Sequence, residues 1–155
     1  MSLQSVKAWF ALHAPDIEVI ELAQSTATVA LAAEGHGVAP GQIAKTLCLR
    51  VGETPILVVT SGTARLDNKK ARAALGGKPR MLGPEEVEAL TSHPVGGVCP
   101  FGLPGPMRVY ADVSLRAFPI VIPAAGSTNS AVRIAPERMA SLVGAQWIDV
   151  SEIRE

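Results

Sequence analysis

The sequence predicts an α+β domain built on a mixed sheet. Three observations carry this. Segments with the two-residue period of strands stand side by side, at 43–51 and 55–60, with no helix between them. Capped helical segments are interspersed among the strands without regular alternation. The 155 residues, 48% hydrophobic and 18% charged, suit one domain, residues 1–155, around one core.

Taken in order, Leu3, Val6 and Phe10 recur at three- and four-residue spacing and predict an opening helix, ended by Ala14-Pro15. Ile17, Val19 and Ile20 read as a short strand. Ser25 or Thr26 is the expected N-cap of a small-residue helix through Val29, Ala30 and Ala33, stopped near Gly35 and Gly37. In 43–51, Leu47, Leu49 and Val51 alternate with Cys48 and Arg50. With the apolar, β-branched run 55–60 this predicts a hairpin turning at Gly52-Glu53-Thr54. Asp67 is the expected N-cap of a basic helix closed by Gly76-Gly77. Pro84 at a first helical position, followed by Glu85 and Glu86, starts another helix over 84–90. Residues 95–106 are a Gly/Pro-rich loop. Then come strand-like 108–113 and 118–122, a small-residue loop at 124–130, a short strand at 131–134, a helix at 136–143 and a last strand at 146–150.

Several functional classes are excluded or disfavoured. No run holds the 18 apolar residues of a membrane span, so no membrane partner is expected. No basic start followed by an apolar block marks a secretory signal, and a cytoplasmic location is expected. Cys48 and Cys99 cannot build a disulfide framework. His13, His36 and His93 show no metal-ligand spacing, so no metal or other cofactor is expected. Fourteen basic residues balance fourteen acidic ones, which argues against DNA coating. The charge is uneven, however: Arg65, Lys69, Lys70, Arg72, Lys78 and Arg80 face only Asp67 within their own stretch. They read either as a phosphate-binding patch, with Lys69, Lys70 and Arg72 its candidate centre, or as a solvated helix face.

Three stretches are candidates for chemistry. Lys45 stands at the start of an apolar strand, where a cation must snorkel or find an anion; a lone lysine is otherwise an ordinary surface charge. Gly96, Gly97, Val98, Cys99 and Pro100 form a loop whose glycines allow close approach to a ligand and whose N–H groups can cradle an oxyanion. The plain alternative is a connection, although it is long for one. In 124–130, Gly126, Ser127 and Asn129 can line a ligand or simply make a turn. Cys99 with His93 as base is a nucleophile hypothesis that the sequence alone cannot place in contact.

Together, I-A-K-T-L-C-L-R at 43–50, R-L-D-N-K-K at 65–70, P-V-G-G-V-C-P-F-G-L at 94–103 and A-A-G-S-T-N-S-A-V-R-I at 124–134 resemble the YbaK/EbsC family, related to the editing domain of bacterial prolyl-tRNA synthetases. The resemblance covers nearly the whole chain. It implies a curved, half-barrel-like mixed sheet packed with helices. It further implies a free-standing deacylase that hydrolyses the ester between a wrong amino acid and the 3′ adenosine of a tRNA, usually tRNA(Pro), with prolyl-tRNA synthetase as an associated partner. In that reading Lys45 matches the functional lysine and Gly96 to Pro100 the G-x-x-x-P loop. A tRNA hydroxyl assists in place of a protein nucleophile. Lys45 then binds the terminal phosphate or orients the amino acid.

Two positions depart from the family's branches. Ala131 stands where the cysteine-editing branch carries an acid, and Thr46 where the alanine-editing branch has Asn. A small amino acid is expected: alanine, 2-aminobutyrate, serine, cysteine or threonine. Competing classes are a non-catalytic tRNA-binding or synthetase-docking module and a cysteine-dependent hydrolase.

Overall fold

A computed structural model describes residues 2–153. Helix α1 (Ser2–His13) turns Val6 and Phe10 inward, as their spacing requires. After the two-residue strand β1 (Ile20–Glu21) comes α2 (Val29–His36). Its N-cap is Thr28, whose hydroxyl accepts from Leu31 N, and not Ser25 or Thr26. Thr26 is drawn away: its amide and hydroxyl both donate to the Thr128 carbonyl. Gly37, left-handed at φ +68°, closes the helix.

Strands β2 (Ile43–Val51) and β3 (Thr54–Ser61) form the expected antiparallel hairpin. Then follow β4 (Ala64–Leu66), α3 (Asn68–Leu75), β5 (Pro79–Met81) and α4 (Pro84–Thr91). Asp67 caps α3 as expected, accepting from both Lys69 N and Lys70 N. The rest of the chain is β6 (Arg108–Asp112), β7 (Ile122–Pro123), β8 (Ser130–Ala131), α5 (Pro136–Val143), β9 (Gln146–Ile148) and β10 (Ser151–Ile153). The stretch 118–122 is a strand only at its end, because Val113–Ala117 is a 3-10 helix and Val121 makes a single bridge to Ile134.

The main sheet runs β5-β2-β3-β6-β9, with β7 beside β2. It is mixed: β2 pairs antiparallel with β3 and β5, whereas β7 on β2, β6 on β3 and β9 on β6 are parallel. Its central strands are buried on both faces, so β3 reads as a continuous apolar run. Leu57 and Val59 join Val6, Phe10, Val87, Phe101 and Met139 in the larger core. Ile56 and Val58 turn the other way, to Leu49, Ala71 and Tyr110. At about 25 cal/mol per Å² of buried apolar surface, this two-sided burial is the main source of stability.

Asp112 ties the far end of this sheet. Fully buried, its carboxylate accepts from Ser114 N (3.0 Å), Val150 N (2.9 Å) and Ser151 Oγ (2.5 Å). Asp112→Ala would strand these donors, and is expected to cost about 3 kcal/mol or more. A denaturant midpoint equal to wild type would contradict this.

The edge of β2 that does not face β3 is interrupted. Strand β7 covers it at Ile43 and Ala44, and β5 covers it at Leu49 to Val51. Among the described residues no strand pairs with 45–48 on that side.

Candidate functional site

A cavity of about 320 Å³ opens at this gap. That is at the small end of the roughly 300–1,000 Å³ typical of ligand pockets. Strand β2 forms its floor from Ile43 to Cys48; Thr26 to Val29, Met81, Leu82, Val87, Val95, Gly96, Val98 and Ala124 form its walls. The lining is largely apolar. Lys45 is its one charged residue among those described, and no carboxylate faces it.

Lys45 is half-buried, and its ammonium donates to the carbonyls of Ala64 (2.6 Å), the first residue of β4, and Gly62 (3.5 Å), in the turn before it. Burial first, and the positive charge of Arg65 second, hold its pKa below a lysine's ordinary value. The carbonyl contacts favour the ammonium while leaving it without a carboxylate partner. A bound anion therefore has a cation to meet at the cavity wall.

Strand alternation puts Thr46 on the other face from Lys45, opposite Val59. Its Oγ1 is buried and has no hydrogen-bond partner. The carbonyl of Cys48 points to the open edge, where it accepts from Leu82 N (3.3 Å), and the same alternation turns the Thr46 peptide groups that way. The cavity floor thus carries backbone that no strand pairs and, buried at the same residue, an unsatisfied hydroxyl. The lysine had hidden this position in the sequence, where Thr46 stood out only as a departure from a branch pattern. Thr46→Val keeps the shape and removes the orphan hydroxyl. It is expected to leave the melting temperature unchanged or raised, since an unmade buried hydrogen bond costs about 1–3 kcal/mol. Clearly lowered stability would show that the hydroxyl has a partner in the folded chain.

Across the cavity lies the Gly96 turn. Gly97 N donates to the Pro94 carbonyl (2.9 Å), and Gly96 has φ +93°. This is the pattern of a turn that demands glycine at its third position. A Cβ on Gly96 would lie 2.9 Å from the Ala27 Cβ, so the side-chain-free backbone is also a packing requirement. Since the Gly97 amide is consumed internally, Gly96 and Val98 are the loop residues left to face a ligand, and both line the cavity.

The structure thus brings Lys45, Gly96 and Val98 together. Gly97 is buried behind the turn against the Ser127 backbone, and Pro100 is buried too. Cys99 is fully buried outside the cavity lining. Burial pushes its thiol up to about 12. Its neighbour His93, at 3.5 Å, directs Nε2 to the Phe101 carbonyl (2.8 Å). That carbonyl only accepts, so Nε2 carries a proton and is not a base for the thiol. No thiolate is on offer. Gly126, Ser127 and Asn129 do not line the cavity. Ser127 Oγ donates to Asn129 Oδ1 (2.8 Å), Asn129 Nδ2 to the Leu22 carbonyl (2.8 Å), and Gly126 N to the Gly97 carbonyl (3.0 Å). This second loop buttresses the first. Lys69, Lys70 and Arg72 lie exposed on α3, outside the cavity, with Lys70 bonded to Asp149 and the Ser151 carbonyl.

These features define an α+β domain with a small, largely apolar ligand cavity at an interrupted strand edge, whose one lining thiol, Cys48, is buried and held above its ordinary pKa by that burial. The profile of the aminoacyl-tRNA editing domain matches residues 23–142. YwhH of Bacillus subtilis, itself uncharacterized, is 47% identical over 97% of both chains. EbsC of Enterococcus faecalis, provisionally named a Cys-tRNA(Pro)/Cys-tRNA(Cys) deacylase, is 31% identical over 77% of this chain and 74% of its own. A crystal structure described as a candidate trans-editing enzyme for prolyl-tRNA synthetase superposes with a TM-score of 0.90 at 35% identity, covering 97% of this chain and 96% of the other. The chain belongs to the aminoacyl-tRNA editing domain family, the YbaK/EbsC family. No helix among the described residues is long and apolar enough to cross a membrane.

Proposed function

We propose that residues 1–155 act as one trans-editing domain in the cytoplasm, deacylating tRNA(Pro) that carries a small non-cognate amino acid. The observation that carries this is the cavity: apolar, about 320 Å³, walled by Val87 and Val98, with a lone ammonium on one side and a glycine turn on the other. An aminoacyl ester is already activated, so positioning and electrostatics suffice. The side chain enters between the valines. The Thr46 carbonyl on the open edge is placed to accept from the substrate's amino group. Backbone amides at Gly96 or Val98 stabilise the oxyanion as water attacks and the sugar hydroxyl leaves. The tRNA's own neighbouring hydroxyl assists, and Lys45 meets the terminal phosphate.

The test is a panel of tRNA(Pro) charged with alanine, 2-aminobutyrate, serine, cysteine, threonine or proline. Turnover of one or more small residues, with proline spared, is expected. A steric pocket separates neighbours differing by one methylene by only about 10–200-fold, so activity should spread over adjacent sizes. Binding without turnover would replace the deacylase with a docking module.

Arg65 lies near enough to Lys45 to depress its pKa, and α3 begins three residues later, at Asn68. The tRNA backbone is proposed to run from the cavity over this basic stretch. Because Lys70 is already paired with Asp149, Lys69 and Arg72 are the sharper probes. Lys69→Ala with Arg72→Ala is expected to reduce the slope of log K against log salt by about 1–2. An unchanged slope would leave α3 as a solvated face.

A further inference from the structure

His93 is fully buried and has no place in the chemistry above. Its surroundings give it another. It lies three residues before Gly96, and its Nε2 donates to the carbonyl of Phe101, the residue after Pro100. The ring therefore bridges both ends of the Gly96–Pro100 loop. Its own amide is fixed by Thr91 Oγ1 (3.1 Å), at the end of α4.

The other ring nitrogen reaches outside the loop. Nδ1 lies 2.5 Å from Ser2 Oγ in the first turn of α1. The Ser2 hydroxyl also donates to the Gly126 carbonyl. With Nε2 protonated, Nδ1 of the neutral ring is an acceptor, so the serine proton serves both neighbours. Gly126 N returns to the Gly97 carbonyl (3.0 Å). Close packing reinforces this circuit: a Cβ on Gly126 would stand 2.8 Å from the Ser2 carbonyl oxygen.

We propose that His93, held by Ser2, is a positioning residue that fixes the Gly96–Pro100 loop at its distance from β2. The proposal rests on the deacylase reading, because the loop's placement matters only if its backbone serves the reaction. Partners on both nitrogens are what the burial of any imidazole requires; what sets this one apart is where they lie. Here each partner belongs to a different segment that borders or buttresses the cavity wall.

The test uses Ser2→Ala, at a half-buried position, and His93→Gln, which is the more disruptive change. Two readouts are taken. One is alkylation of Cys99, located by mass spectrometry, with amide exchange in β3 reporting global opening. The other is the steady-state kinetics of deacylation on the charged tRNA that wild type turns over best. The expected result is faster alkylation of Cys99 with β3 exchange unchanged, a kcat lowered about tenfold, and KM within about twofold. If Cys99 and β3 open together, the circuit is only structural and the proposal is overturned. An active wild type whose kcat is untouched by Ser2→Ala, despite a loosened Cys99, also overturns it. A wild type inert on every charged tRNA instead overturns the deacylase reading, and the positioning role with it.

Discussion

A valine at position 96 is expected to lower deacylation by about 100-fold or more, the loss typical of removing one oxyanion donor. The reason is local. Gly96 occupies φ +93°, a region that a β-branched residue enters at a cost of about 1–3 kcal/mol. Its Cβ would also press within 2.9 Å of the Ala27 Cβ, on the adjoining segment that lines the same cavity. The turn can relieve both only by rotating the peptide that lines the cavity. Gly96→Ala shares the strain without the branch and should fall between wild type and valine. Turnover is to be read beside the melting temperature. A folded Gly96→Val protein working at the wild-type rate would remove the turn from the mechanism.

Much of this site was legible in the sequence, for reasons that particular residues show. The β2–β3 hairpin is written in its alternation, and Asp67 and Gly76 mark both ends of α3 through their own cap chemistry. Gly96 advertises its turn because only glycine suits that φ. The strands β4, β5 and β10 were not foreseen. Each is three residues long, and its pairing depends on a distant partner, such as β10 on β4, that local pattern does not encode. The same limit explains the misplaced cap of α2. Ser25, Thr26 and Thr28 are equivalent as sequence, and only the Thr128 carbonyl, about a hundred residues on, decides among them. Ser127 and Asn129 looked like ligand donors because they carry polar groups in a glycine loop. Those groups are spent on each other and on Leu22. The open edge of β2, which makes the cavity, depends on where β5 and β7 stop and is a purely tertiary fact.

That edge also sets the expectation for Lys45. Lys45→Ala should reduce deacylation at least tenfold, corresponding to about 1.4 kcal/mol of transition-state stabilisation. The alanine removes both an ammonium and an aliphatic stem, so two further variants separate them. Lys45→Met keeps the stem and should be as impaired as alanine if charge is what matters. Lys45→Arg keeps the charge, but its planar fork does not match a site built on the single carbonyl contacts at Ala64 and Gly62, so only partial rescue is expected. The pH profile supplies an independent sign. Burial and Arg65 favour the neutral amine, lowering the pKa. Activity carried by the ammonium must then be full at low pH and fall as pH rises through that lowered value, before an ordinary lysine would titrate. After subtraction of spontaneous ester hydrolysis, this alkaline decline should be present in wild type and absent from the residual activity of Lys45→Met. Equal rates for wild type and a folded Lys45→Met, or an identical alkaline decline in both, would mean that the ammonium serves only the turn between β3 and β4.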